Sequence, residues 1–207
     1  APIAHRAFHD AEQGIPENSR AGVQRAVRAG YGIEIDVHLS ADGRAMVFHD
    51  DTLDRLTHAT GPLAKRTARE LSDLVLVGSD ERIPTLRDVL ELVDGQVPIL
   101  IELKDQSGAI GEGEDQLERA VAEDLRGYSG PVAAMSFNPH VIAAMRTHAP
   151  DLPRGLVSSA FIPSQWPQIS PEMCTHLRSI SDFGRVGASF ISHDWTDLGS
   201  PRVAELK

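Results

Sequence analysis

The chain has 207 residues, 41% hydrophobic and 24% charged, with a net charge of −10 and a single cysteine. That length suits one domain with a substantial core. The acidic balance excludes a general nucleic-acid or anionic-membrane surface, the lone Cys174 excludes an internal disulfide or a cysteine-built zinc site, and no apolar run reaches the ~18 residues of a membrane span.

Taken in order, residues 2–7 are a short apolar run ending in His5-Arg6, followed by a breaker-rich loop from Asp10 to Pro16. Ser19 caps a helix over 20–29, with Val23, Ala26 and Val27 inward and Gly30 as its stop. Residues 32–50 read as two short strands joined at Asp42-Gly43, a strong hairpin signal. Alternation places Glu34, Asp36 and His38 on one face and Ile33, Ile35 and Val37 on the other. With Asp42-Gly43 as a two-residue loop, Ala41 pairs with Arg44 and Asp36 lies opposite His49.

Residues 50–83 are polar and irregular, with one weak helical piece near 67–74, and are expected to form an excursion from the main fold. Thr85, with Asp88 three residues on, opens a helix striped by Leu86, Val89, Leu90 and Val93 and ended by Gly95. Residues 98–104 form a buried strand finishing on Glu102 and Lys104, two apart and so on one face. A helix over 114–127, a strand over 132–137, and a helix over 139–148 capped by Asn138-Pro139 follow. Then come a strand at 154–158, a helix at 171–182, a strand at 185–192 and the start of a helix at 201–207.

About six β-α repeats with near-continuous apolar strands predict a parallel sheet covered by helices. Ionisable residues recur where strands end: His5-Arg6, Asp36-His38, Glu102-Lys104 and His193-Asp194. That pattern predicts an α/β TIM (β/α)8-type barrel with its site on the C-terminal face. The rival, a doubly wound open sheet, wants a glycine-rich loop after its first strand, where this chain has His-Arg-Ala.

The motifs Ala4-His5-Arg6-Ala7, Pro16-Glu17-Asn18-Ser19, Glu34-x-Asp36-Val37, Asp42-Gly43, His49-Asp50, Leu53-x-Arg55-x-Thr57, Ile83-Pro84-Thr85-Leu86 and Glu102-x-Lys104 resemble, in order and rough spacing, the glycerophosphodiester phosphodiesterase family. Ser136-Phe137 and the later β-α units are similar to its second half. The resemblance implies a single TIM-barrel domain over 1–207 that hydrolyses glycerophosphodiesters, small-molecule phosphodiester substrates, to glycerol phosphate and an alcohol with one divalent metal. Glu34, Asp36 and Glu102 correspond to the metal carboxylates, His5 and His49 to the acid-base pair, and Arg6 and Lys104 to phosphate contacts. Three carboxylates without cysteine suit a hard cation, Mg²⁺ or Ca²⁺.

Two departures stand out. Ala7 replaces the family's glycine, and an alanine disfavours positive φ, so the loop after the first strand is expected to differ. The chain also ends after the sixth barrel strand, which suggests a fragment of a longer chain or assembly from two chains. With no visible export signal the expected compartment is the cytoplasm; the start at Ala1 rather than Met leaves processing for the periplasm or secretion as the alternative.

Each assignment has a purely structural competitor. The strand carboxylates can simply pair with Arg6 or Lys104, and His5 and His49 can be packed, hydrogen-bonded histidines. Glu17 and Asn18 either reach the pocket or cap the first helix, His38 is expected at the rim, Trp166 is expected to anchor its loop, and the acidic run 112–115 is expected to start a helix. Functionally, a lysophospholipase D- or sphingomyelinase D-like reaction on the same barrel and a non-catalytic binding paralogue are the alternatives.

Overall fold

The computed structural model describes residues 2–207. Six strands run parallel and lie side by side in chain order: β1 (Ile3–Ala4), β2 (Gly32–Leu39), β4 (Ile99–Leu103), β5 (Val132–Ser136), β6 (Arg154–Ser158) and β7 (Phe190–His193). β3 (Ala45–Val47) pairs antiparallel with β2. A strand order that never reverses puts every same-handed crossover on the same side of the sheet. The helices therefore cover one face, and the other is left to form the inside of a barrel. The observed order has no switch point of the doubly wound kind. Among the described residues β1 and β7 are the sheet's two edges.

Period-two alternation sorts the strand residues accordingly. Ile33, Ile35 and Val37 of β2, with Ile99, Ile101 and Leu103 of β4, are buried in the main core. They pack beneath α1 (Arg20–Ala29), α3 (Leu86–Val93), α4 (Gln116–Asp124) and α5 (Pro139–His148), each of which contributes side chains to that core. Glu34, Asp36 and Glu102 occupy the intervening positions and face inward.

Local chemistry sets the helix starts. The Ser19 hydroxyl accepts from Gly22 N–H at 3.1 Å, and Gly30 closes α1 in the left-handed region. Thr85 and Asp88 form a full capping box on α3, which is ended by Asp94 (φ 44°) ahead of Gly95. Asn138 caps α5 at His140 N–H. Three elements are shorter than periodicity predicts. α4 begins only at Gln116, because Asp115 (φ 55°) makes no capping bond and the preceding acidic residues stay outside the helix. α6 (Pro171–Arg178) stops early, and β7 starts five residues late because Asp182–Gly187 turn back and bury Val186. α7 (Pro201–Glu205) is the last element.

The hairpin differs from expectation by one residue. The register pairs Val37 with Val47 and Leu39 with Ala45, and Ser40 N–H donates to Arg44 O. The loop thus has three residues, with Gly43 (φ 77°) in the left-handed position such loops require. Phe48, not His49, lies across from Asp36, its N–H bonded to the Asp36 carbonyl at 3.0 Å. His49 lies past the end of β3, in a bend.

Residues 50–83 carry their own apolar cluster, in which Leu53, Leu63, Leu71, Leu76 and Ile83 pack on Met46 and Phe48 of the hairpin. α2 (Ala68–Ser72), opened by a Thr67–Glu70 capping box, lies within it. The turn after β1 is strained. Arg6 (φ 51°) and Ala7 (φ 64°) are both left-handed, a conformation that costs a non-glycine residue ~1–2 kcal/mol. Ala7 therefore does adopt the positive φ that alanine disfavours. Three bonds hold the turn: Ala7 N–H to Glu34 O (2.8 Å), Arg6 N–H to Glu34 Oε2 (2.8 Å), and Asn18 N–H to Arg6 O (2.9 Å).

Candidate active site

An open cleft of about 790 Å³ lies along the inner face at the C-terminal strand ends. His5 and Arg6 reach it from the end of β1, Glu34 and Asp36 from β2, Glu102 and Lys104 from β4, and His49 from the bend after β3. All seven residues singled out in the sequence are thus brought to one place.

Glu34, Asp36 and Glu102 each offer a carboxylate oxygen, and these lie within 4.8 Å of one another in buried surroundings. Lys104 Nζ stands between two of them, 2.6 Å from Asp36 Oδ1 and 2.6 Å from Glu102 Oε1. Asn18 Nδ2 donates to Asp36 Oδ2 at 2.9 Å, and Arg6 Nε is 3.7 Å from the same oxygen. Compensation is incomplete. Glu34 Oε1 has no partner, and Asp36 Oδ1 has the Lys104 charge nearby but no aligned hydrogen bond. Burial first, and the Asp36 charge second, push the Glu34 carboxyl up to about 8. Asp36 goes the other way: against its burial, Lys104 and the Asn18 amide hold it below the ordinary carboxylate range. Lys104 is likewise held above its ordinary value, against its burial, by Glu102 and Asp36.

Three buried carboxylates, one shared ammonium and two oxygens without aligned donors fit a divalent cation. Oxygen donors without sulfur select a hard ion. The metal-ligand reading therefore passes this test, and the ion pairing that competes with it accounts for Lys104 but leaves Glu34 Oε1 unexplained.

The two histidines differ in setting. His5 is exposed, and partial burial and then the Arg6 charge lower its pKa. His49 Nδ1 is 2.7 Å from Asp50 Oδ1. Asp50 is pushed down to about 2, chiefly by hydrogen bonds from Arg55. It is a carboxylate at neutral pH and only accepts, so His49 donates through Nδ1 and leaves Nε2 for the cleft. Arg55 grips Asp50 (2.6 and 2.7 Å) and also Glu17 (2.8 and 3.0 Å), and Glu17 in turn accepts from Arg6 Nη1 at 3.1 Å. Glu17 and Asn18 thus reach the site, and Ser19 alone caps the helix. His38 is buried behind the site rather than at its rim. Its Nε2 donates to the His49 carbonyl at 3.0 Å, and it is not among the clustered carboxylate donors.

The sequence alone gives no role to Asp50 or Arg55. The His49-Asp50 adjacency is a usable signal, but nothing periodic foretells that Arg55 reaches Glu17 across 38 positions. Trp166 both anchors its loop against Phe137 and Phe161 (centroids at 5.2 and 5.0 Å) and lines the cleft.

Comparison with known proteins shows what the chain as a whole is similar to. A family model described as "Glycerophosphoryl diester phosphodiesterase family" matches residues 5–190. A glycerophosphodiester phosphodiesterase of Caldanaerobacter subterraneus is 34% identical over 173 residues, covering 79% of this chain and 69% of that protein. Human glycerophosphodiester phosphodiesterase 1 is 34% identical over 155 residues, 70% of this chain; the match spans less than half, 44%, of the human protein. Among solved structures, an Oleispira antarctica phosphodiesterase in complex with the product sn-glycerol-3-phosphate superposes with a TM-score of 0.68 at 28% identity, covering 91% of this chain and 81% of that one. A glycerophosphodiester phosphodiesterase from Agrobacterium tumefaciens does so with a TM-score of 0.70 at 27% identity, covering 99% and 80%. The shared fold makes the six parallel strands a curled half-barrel of TIM type. Because the matched span runs from His5 through the carboxylate cluster and on into β7, this chain belongs to the glycerophosphoryl diester phosphodiesterase family.

Proposed function

We propose that the protein hydrolyses glycerophosphodiesters to glycerol 3-phosphate and an alcohol, with one Mg²⁺ or Ca²⁺ held by Glu34, Asp36 and Glu102. The observation that carries this is the incompletely compensated carboxylate cluster with two histidines lining the same cleft. A divalent ion bound there supplies positive charge to the phosphoryl oxygens.

The remaining work falls to side chains. Arg6, whose Nε is buried without a hydrogen-bond partner, and the Lys104 ammonium orient the phosphate. His5, whose lowered pKa favours the neutral imidazole, accepts the proton of the attacking hydroxyl. His49, held at Nδ1 by the Asp50 carboxylate, donates a proton from Nε2 to the departing alkoxide. The Asp50–Arg55–Glu17–Arg6 chain ties the proton donor to the phosphate contact.

Release of glycerol 3-phosphate from glycerophosphocholine, measured with and without EDTA, tests this. Release that stops on chelation and returns with Mg²⁺ or Ca²⁺ is expected. Undiminished turnover in EDTA removes the metal assignment, and absence of release from any glycerophosphodiester removes the substrate class.

A further inference from the structure

His38 is buried beside the site and has no part in the hydrolytic reading above. It stands two residues beyond Asp36 on β2 and does not line the cleft, so it is not placed to touch a substrate there. Burying an imidazole is costly unless its nitrogens are bonded. Here both face a partner: Nε2 donates to the His49 carbonyl at 3.0 Å, and Nδ1 lies 3.4 Å from Gln106 Nε2. A carbonyl only accepts, so Nε2 carries the proton and Nδ1 is left to accept from the amide. Gln106 is held in turn, its Nε2 also donating to the Lys104 carbonyl at 2.9 Å.

The bond to His49 falls where the chain has no other hold. Phe48 N–H still bonds the Asp36 carbonyl at 3.0 Å, but His49 has left the β2–β3 ladder. Among the described residues, the His38 imidazole is the only group hydrogen-bonded to the His49 backbone. The His49 ring has a separate tether, from Nδ1 to Asp50 Oδ1 at 2.7 Å. A side chain is located by where its backbone sits and how its ring is turned. Asp50 governs the second and His38 the first. The strand that presents Asp36 to the cleft therefore also sets how far His49 Nε2 stands from the carboxylate cluster.

We propose that His38 is a positioning residue for the hydrolysis: its bond to the His49 carbonyl holds the backbone from which His49 delivers a proton to the departing oxygen. This rests on the hydrolytic reading above. Misplacing a reacting group by about 1 Å costs on the order of a hundredfold in rate, so the bond bears on kcat and leaves the phosphate and metal contacts alone.

The test compares wild type with His38→Leu, which has no donor, and His38→Gln, whose amide N–H reaches the place of Nε2. With glycerophosphocholine, His38→Leu should lower kcat by about a hundredfold at nearly unchanged KM, and His38→Gln should restore most of it. The leaving group supplies a readout that a merely structural role does not move. Glycerophospho-p-nitrophenol expels a nitrophenolate that needs no proton, so with it the deficits of His38→Leu and His49→Ala should both nearly vanish. No deficit, a deficit equal for both diesters, one carried by KM, or one that His38→Gln leaves in place overturns the proposal. If leucine prevents folding, His38→Asn, whose shorter amide does not reach the carbonyl, takes its place in the same comparison. When His49→Ala discriminates between the diesters and His38→Leu does not, the positioning role alone falls. When His49→Ala does not discriminate, proton donation by His49 falls and the proposal with it. If no diester is turned over, crystal structures decide: a His49 imidazole displaced in His38→Leu and returned in His38→Gln supports the proposal, and one found in the same place in all three proteins overturns it.

Discussion

On the β1–β2–β4 side of the cleft, charged groups are buried and partly uncompensated; on the β6–β7 side, polar groups are buried and paired. Ser158 Oγ meets His193 Nδ1 at 2.8 Å, and His193 Nε2 meets Asp197 Oδ2 at 3.1 Å. An ionised Asp197 only accepts, so His193 is donor at Nε2 and acceptor at Nδ1, and each nitrogen has its partner. Across the cleft, Glu34 Oε1 and Arg6 Nε have none. Burying polar atoms without partners is costly, and a chain keeps such a cost where a ligand will meet it. The difference separates a wall built to bind from a wall built to hold two strand ends together.

Substitutions should divide the same way. The largest effect is expected from His49→Ala, which removes the proposed proton donor and should lower kcat by about 10²–10⁴-fold. Calorimetric titration should show divalent-ion binding retained, since His49 is not among the clustered ligands; lost binding would move His49 into the ligand set. Asp36→Asn should cost more than about a hundredfold in activity, because even outer-shell partners of metals cost 10–100-fold.

On the opposite wall, Ser158→Ala should do the reverse. Leaving His193 Nδ1 buried and unsatisfied costs roughly 1–3 kcal/mol of stability, readable in denaturant melts, while turnover per folded molecule persists. The smallest effect concerns pH. Asp50 is depressed from 3.8 to about 2 in the fold, chiefly by Arg55. Its contribution is therefore present above its unfolded value and fades as pH falls from about 4 towards 2. Denaturant midpoints across that window should fall less steeply for Asp50→Asn than for wild type; parallel curves would mean the Arg55 pair adds nothing to stability.

How much of this was legible in the sequence depends on the range of the interaction. The bounds of α5 and β6 and the caps at Ser19, Thr85 and Asn138 follow from contacts within a few residues, and these agree with expectation. Strand parity likewise put Glu34, Asp36 and Glu102 on the inner face. The hairpin register did not follow, because Asp-Gly suits both two- and three-residue loops and the choice rests on Gly43 occupying the left-handed position. The conformation of Ala7 ran against its propensity because bonds to Glu34, 27 positions away, override it. Arg55 was visible as part of a motif, but its grip on both Asp50 and Glu17 depends on how the 50–83 excursion folds over the hairpin, a tertiary matter.

The claim at the centre is that the carboxylate cluster is a divalent-cation site on which diester hydrolysis depends. Titrating the metal-free protein with Mg²⁺ or Ca²⁺, while following binding by calorimetry and glycerol 3-phosphate release in parallel, tests it most directly. One equivalent bound per chain, with half-saturation matching the rise in rate and both lost in Asp36→Asn, is the predicted result. Full turnover by metal-free protein, or binding that survives in Asp36→Asn with unchanged affinity, would contradict it.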